Sequence, residues 1–122
     1  MQIRETGEDY LERILMFTEQ KGYARSVDIA TDLQVSKAAV STTIKRLCAE
    51  GFVEMDGDKL LHLTDKGMAI ARRIYDRHRL FEQVLLRLGV DPETARADAC
   101  RMEHDVSEQT MDAIRSALSK GR

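Results

Sequence analysis

Cys100, Glu103 and His104 stand at i, i+3 and i+4, the spacing that brings side chains out together on one face of a helix. Thiolate, carboxylate and imidazole are donor types that divalent transition metals take from proteins. Near the N-terminus Asp9 and Glu12 share a face in the same way, and His78 sits inside an apolar stripe. Taken one at a time, these residues have ordinary explanations: a satisfied core histidine, a cysteine serving as a small hydrophobe, solvated carboxylates. Taken jointly, cysteine, glutamate and histidine on one face leave too much to coincidence. Asp9, Glu12, His78, Cys100, Glu103 and His104, converging from three helices, would satisfy one divalent ion or two per subunit. No stretch has the close spacing of a zinc finger, so the fold has to assemble the donors.

The helices that must hold these donors are legible in the apolar periodicity. Over 8–20, Tyr10, Leu11, Ile14, Leu15 and Thr18 recur at helical spacing, and Gly22 follows as a stop signal. Ser26 predicts the cap of a short second helix carrying Ile29, Ala30 and Leu33. Gln34 and Val35 then make a tight turn, and Ser36 caps a third helix over 37–50. Two short helices joined this way are the helix-turn-helix signature. Val40, Ile44 and Leu47 face inward on the third helix, leaving Ser36, Lys37, Ala38, Ser41, Thr42 and Lys45 outward. Small, hydroxyl and basic side chains with no acid among them suit phosphate oxygens and the base edges of a major groove.

Strand-like runs at 52–55 and 59–63 bracket Asp56-Gly57-Asp58, a strong hairpin signal. Three helices followed by a hairpin make a winged helix, so contact with double-stranded DNA is expected at the third helix. Thr64 caps a fourth helix whose stripe is Gly67, Ala71, Ile74, His78, Phe81, Leu85 and Leu88. Asp91 and Pro92 open a fifth helix running to His104, and Ser107 caps a sixth with Met111, Ile114 and Leu118 on its apolar face. In so short a chain that face has to bury against the body or a second copy, and it is the expected homodimer interface. The expected fold is mainly α with a small β-hairpin wing: a winged helix-turn-helix over 1–63, then metal-binding and dimerisation helices over 64–122.

Composition narrows the function further. Hydrophobic residues are 43% and charged residues 33% of the 122, with one Pro, which suits a helix-rich globular protein and argues against disorder. The chain has no apolar run of membrane-spanning length, and its first residues lack the apolar core of a secretory signal, so a cytoplasmic protein is expected. A reducing cytosol disfavours pairing Cys48 with Cys100. The formal net charge of −2 does not suit constitutive coating of nucleic acid, so any DNA-binding surface has to be local. An enzyme is not expected. There is no Ser-His-Asp or phosphate-loop pattern, and adjacent Glu103 and His104 do not form the Glu-x-x-His pairs of di-iron bundles. The alternatives are a winged-helix regulator that senses an organic ligand and, more remotely, a helical metalloenzyme using the same donors.

Nearly the whole chain resembles the diphtheria-toxin-repressor family of metal-dependent regulators, and more closely its manganese-transport-regulator branch. The resembling segments include Glu8-Asp9-Tyr10-Leu11-Glu12-Arg13-Ile14, Lys21-Gly22-Tyr23-Ala24-Arg25, Asp28-Ile29-Ala30 and Leu63-Thr64-Asp65-Lys66-Gly67. Arg77-His78-Arg79-Leu80-Phe81-Glu82-Gln83, Leu88-Gly89-Val90-Asp91 and Met102-Glu103-His104-Asp105-Val106-Ser107 continue it. The resemblance implies a homodimeric repressor that binds a palindromic operator when loaded with Mn(II) or Fe(II), its metal ordering the first helix. It carries the family's ligands onto Asp9, Glu12, His78, Glu103 and His104. Position 100 has the Cys of the iron-dependent branch where the manganese branch has Glu, whereas Asp9 is of the manganese type. The ancillary site of the iron branch would use His78 and Glu82, but its second histidine falls on Arg96, so that site is not expected. With the sequence ending at Arg122, an SH3-like third domain is not expected either.

Overall fold

The computed structural model describes residues 5–120. Among them the order is α1 (Glu5–Lys21), α2 (Ser26–Leu33), α3 (Lys37–Ala49), β1 (Val53–Met55), β2 (Leu61–Leu63), α4 (Asp65–Arg87), α5 (Pro92–Met102) and α6 (Glu108–Lys120). The chain forms two compact units, Met1–Arg72 and Arg73–Arg122, so the division falls inside α4.

In the N-terminal unit, α1 buries Tyr10, Leu11, Ile14 and Leu15 and packs against α2 and β2. Gly22, at φ 86°, ends it. α2 begins one residue earlier than Ser26 suggests. Its N-cap is Arg25, whose backbone N–H donates to the Asp28 carboxylate at 3.1 Å. The cause is tertiary: Arg25 is extended and bridges to Leu60, while Leu61 N–H donates to Ala24 O at 2.8 Å, so the chain turns into the helix directly from a strand pairing. The rest of the helix-turn-helix follows the sequence. Gln34 takes the left-handed conformation at φ 57°, and the Ser36 hydroxyl accepts from Ala39 N–H at 3.0 Å. Val40, Ile44 and Leu47 are buried.

The hairpin is antiparallel, with Val53 opposite Leu63, Glu54 opposite His62 and Met55 opposite Leu61. The Thr64 hydroxyl caps α4 by accepting from Gly67 N–H at 3.1 Å. Glycine is required at 67, because a Cβ there would lie 2.1 Å from the Phe52 carbonyl oxygen.

The helical unit has a smaller apolar cluster of Phe81, Ala99 and Met111, with Leu80, Val106 and Ile114 packed against it. The stripe of α4 is buried at Ile74, His78 and Phe81 but ends early. Leu85 is half-buried and Leu88 is 75% exposed, because α4 stops at Arg87 and the chain turns at Gly89, φ 92°. α5 also stops short of His104: Met102 is its last residue and Glu103 its C-cap. Ser107 caps α6 as expected, accepting from Thr110 N–H at 3.2 Å.

One expectation for α6 needs correcting. Met111 is fully buried inside its own unit against Phe81 and Ala99, and it has no surface to offer a second copy. Of that face, Ile114 and Leu118 are half-buried.

Candidate metal centre and nucleic-acid interface

The donor-bearing residues of the helical unit do come together. His78 comes from the middle of α4, Cys100 from the last turn of α5, and Glu103 from its C-cap, where φ −64° and ψ −22° continue the helical path. That continuation keeps the i, i+3 relation between Cys100 and Glu103 although the helix has ended. One ligand atom each from His78, Cys100 and Glu103 lie within 4.8 Å of one another. Donors on opposite sides of a transition metal stand about 4–4.6 Å apart at bond lengths near 2.0–2.3 Å. The spacing therefore suits donors around a single ion.

His78 Nδ1 is 3.2 Å from Glu103 Oε2, its Nε2 is 3.7 Å from Glu82 Oε1, and His104 Nε2 is 3.6 Å from Glu103 Oε1. Glu103 is fully buried and His78 is 6% exposed. A carboxylate withdrawn from water needs a compensating positive charge, and a divalent cation among imidazole, thiolate and carboxylate donors supplies one. The residues present thus fit a transition metal.

Asp9 and Glu12 lie on one face of α1 in the N-terminal unit, Asp9 half-buried and Glu12 fully buried. Arg13 Nη1 donates to Glu12 Oε1 at 2.9 Å, and its Nε donates to Asp32 on α2 at 2.7 Å.

On α3 and its N-cap, Ser36, Lys37, Ala38, Ser41, Thr42 and Lys45 are all exposed, as the periodicity of α3 requires. The hairpin that follows carries Glu54, Asp56 and Asp58 exposed, with Lys59 at its turn. The hairpin's acidic charge disfavours phosphate, so attraction to a polyanion has to come from cations elsewhere in the unit, Lys37 and Lys45 among them. Asp56 organises this turn. Its Oδ1 accepts from Asp58 and Leu60 N–H groups at 2.8 and 3.0 Å, and its Oδ2 lies 2.7 Å from His62 Nε2. Those bonds, the His62 one foremost, hold its carboxyl below the usual aspartate range. Cys48 lies at the end of α3, half-buried. Burial, and then the Glu54 charge, push its thiol pKa up.

Two residues of consequence escaped the sequence reading. Asp56 reads from the sequence as a turn residue, and nothing there announces its bond to His62. Arg77 was not singled out, yet it is buried and bonds both Glu103 and Glu108. A signal existed: 77 follows Ile74 by three and precedes Phe81 by four, so the spacing already placed a charged residue on the buried side of α4.

Comparison with known proteins agrees with this division of labour. Residues 2–61 match the family described as iron dependent repressor, N-terminal DNA binding domain, and residues 64–121 match iron dependent repressor, metal binding and dimerisation domain. The chain is 45% identical over 117 residues to the transcriptional regulator MntR of Escherichia coli O157:H7, covering 96% of this chain and 76% of that protein. It is 39% identical over 107 residues to the HTH-type transcriptional regulator MntR of Bacillus subtilis strain 168, covering 88% and 75%. Among solved structures, T. acidophilum IdeR superposes with a TM-score of 0.84 at 28% identity, over 98% of this chain and 55% of that one. A manganese-dependent transcriptional repressor in complex with manganese gives 0.84 at 30% identity, over 93% and 52%. The chain thus spans about half the length of these two solved chains.

Proposed function

The chain belongs to the iron-dependent repressor family, and on that premise we propose that it is a transcriptional repressor whose DNA binding is switched on by Mn(II) or Fe(II). The observation that carries this reading is the close grouping of buried His78, half-buried Cys100 and buried Glu103. The matched curated relatives are transcriptional regulators, which sets the metalloenzyme alternative aside.

The proposed ligands are His78, Cys100, Glu103 and His104, with Asp9 and Glu12 as the contribution of α1. The latter two rest on residue type, spacing and the family. When bound, a divalent ion would supply the positive charge that the buried Glu103 carboxylate requires, and a site for the Cys100 sulfur as ligand. Asp9 and Glu12 sit on the helix whose opposite face packs against α2 and β2, so restraining their carboxylates restrains the framework behind α3. Ser36, Lys37, Ser41, Thr42 and Lys45 then meet phosphates and base edges, and the small Ala38 permits close approach.

The mixed donor set makes a prediction about metals. Zinc is satisfied by four ligands, and Cys100, Glu103 and a histidine supply most of them without Asp9 and Glu12. Manganese prefers more numerous, oxygen-rich ligands and needs the α1 carboxylates. We therefore expect zinc to bind tighter and activate less. The operator is proposed to be palindromic, read by a homodimer formed through the helical unit. Ile114, Leu118 and the exposed Leu86, Leu88 and Met102 offer apolar surface for that contact.

Anaerobic DNA-binding titrations with Mn(II), Fe(II), Co(II) and Zn(II) test the proposal. Mn(II) or Fe(II) should give the largest gain in affinity; equal retention with every metal and with none would refute it.

A further inference from the structure

Arg77 lies on the buried side of α4, and a guanidinium withdrawn from water is costly unless its donors are used. Nη1 donates to the main-chain carbonyl of Glu103 at 3.1 Å, and Nη2 donates to Glu108 Oε1 at 2.7 Å. Nε is buried with no acceptor among the described residues. A hydrophobic side chain would avoid that penalty, so what the arginine does for its two partners has to outweigh it.

Those partners stand at the two ends of one turn. Glu103 caps the C-terminus of α5, where carbonyls lack helical donors and a cation complements the dipole. Glu108 is the first residue of α6. A single planar fork therefore fixes the end of one helix against the start of the next, and the turn so fixed carries Glu103 and His104. The next residue along α4 is His78, whose Nδ1 faces Glu103 Oε2 at 3.2 Å. Consecutive residues of α4 thus reach the same glutamate, Arg77 bonding its carbonyl and His78 facing its carboxylate.

We propose that Arg77, braced by Glu108, is a positioning residue that sets the metal selectivity of the centre. It acts by holding the main chain of Glu103 and His104 so that both donors are presented together. The inference rests on the metal-site reading above. An ion that needs many ligands at once is the one that suffers when this turn loosens, whereas zinc, content with four ligands and without geometric preference of its own, tolerates it.

The test uses the full-length protein and three variants: Glu108→Gln, Arg77→Lys and Arg77→Gln. Mn(II) and Zn(II) affinities are measured by competition with a chromophoric chelator, alongside the Mn(II) EPR spectrum and the melting temperature of the metal-free protein. Glu108 touches Arg77 through its exposed side chain, so Glu108→Gln leaves the fold intact even if Arg77→Gln does not. We expect Glu108→Gln to weaken Mn(II) binding about 10-fold, as loss of an outer partner of a metal site does, with Zn(II) changed less than about threefold and the Mn(II) spectrum broadened. Arg77→Lys should recover part of the loss shown by Arg77→Gln. If Glu108→Gln weakens both metals equally, or shifts the melting temperature alone, Arg77 is a strut and the proposal falls while the metal site stands. If the wild-type protein binds no Mn(II), the functional reading itself fails and takes the proposal with it.

Discussion

The two units treat charge in opposite ways. In the N-terminal unit the residues assigned to DNA, from Ser36 to Lys45, are exposed on a helix whose inner face, Val40, Ile44 and Leu47, is closed and apolar. In the helical unit the apolar cluster is small, and Arg77, His78 and Glu103 are buried beside it. A surface built to meet a polyanion keeps its charges in water, where they cost little and act through many weak contacts. A site built to hold one ion withdraws its charges from water, and the ion then becomes part of what makes the unit stable. Glu12 is the exception in the N-terminal unit, a fully buried carboxylate on α1 that Arg13 meets at 2.9 Å.

The largest effect should come from the buried side of this contrast. His78→Ala removes a central donor, so Mn(II) affinity should fall by on the order of 100-fold or more, at or above the top of the range for an outer partner, and the metal-dependent gain in DNA affinity should disappear. Compared metal-free, variant and wild type should show the same amide exchange in α3; if it rises in the variant, the units are not separable in the way described. Next in size is the effect of metal on stability. Mn(II) at about 100 times its dissociation constant should add about 2.7 kcal/mol. Hydrogen exchange should show the slowing concentrated around 99–108 and in α1, and a uniform slowing would blur the contrast.

On the exposed side, Lys45→Ala should reduce the slope of log affinity against log salt by about one unit while leaving Mn(II) affinity unchanged. The smallest effect belongs to the wing. Because Asp56 has a lowered pKa in the folded state, its contribution is present above the usual aspartate range and is lost as pH falls through the lowered value. The hairpin should therefore loosen in acid before the rest of its unit, read as a change in His62 ring resonances while those of Ile44 and Leu47 hold. Simultaneous change would assign the wing no separate pH response.

What could be read from the sequence follows the same division. The exposed face of α3, the Ser36 cap, the hairpin and its turn all depend on residues close in sequence, and local rules placed them. Errors arose where distant contacts decide. Arg25 replaced Ser26 as a cap because β2 pairs with the chain just before α2. Leu88 left the stripe because α4 ends at Arg87, and Met111 turned into its own core instead of toward a partner. Type and spacing singled out His78, Cys100 and Glu103, which the fold brings within 4.8 Å of one another, but not the support behind them. Arg77 acts on a backbone carbonyl 26 residues away, and no periodicity announces that.

The central claim is that ion binding governs DNA binding, and one measurement addresses it directly. Protein verified to contain Mn(II) is titrated onto operator DNA before and after a chelator removes the metal, at fixed salt. The account predicts a loss of affinity of on the order of 10-fold or more on chelation, restored by adding Mn(II) back, consistent with the usual 1–3 kcal/mol of coupling between two sites. Equal affinity in the two states would contradict it and leave a winged helix that binds DNA without consulting the metal.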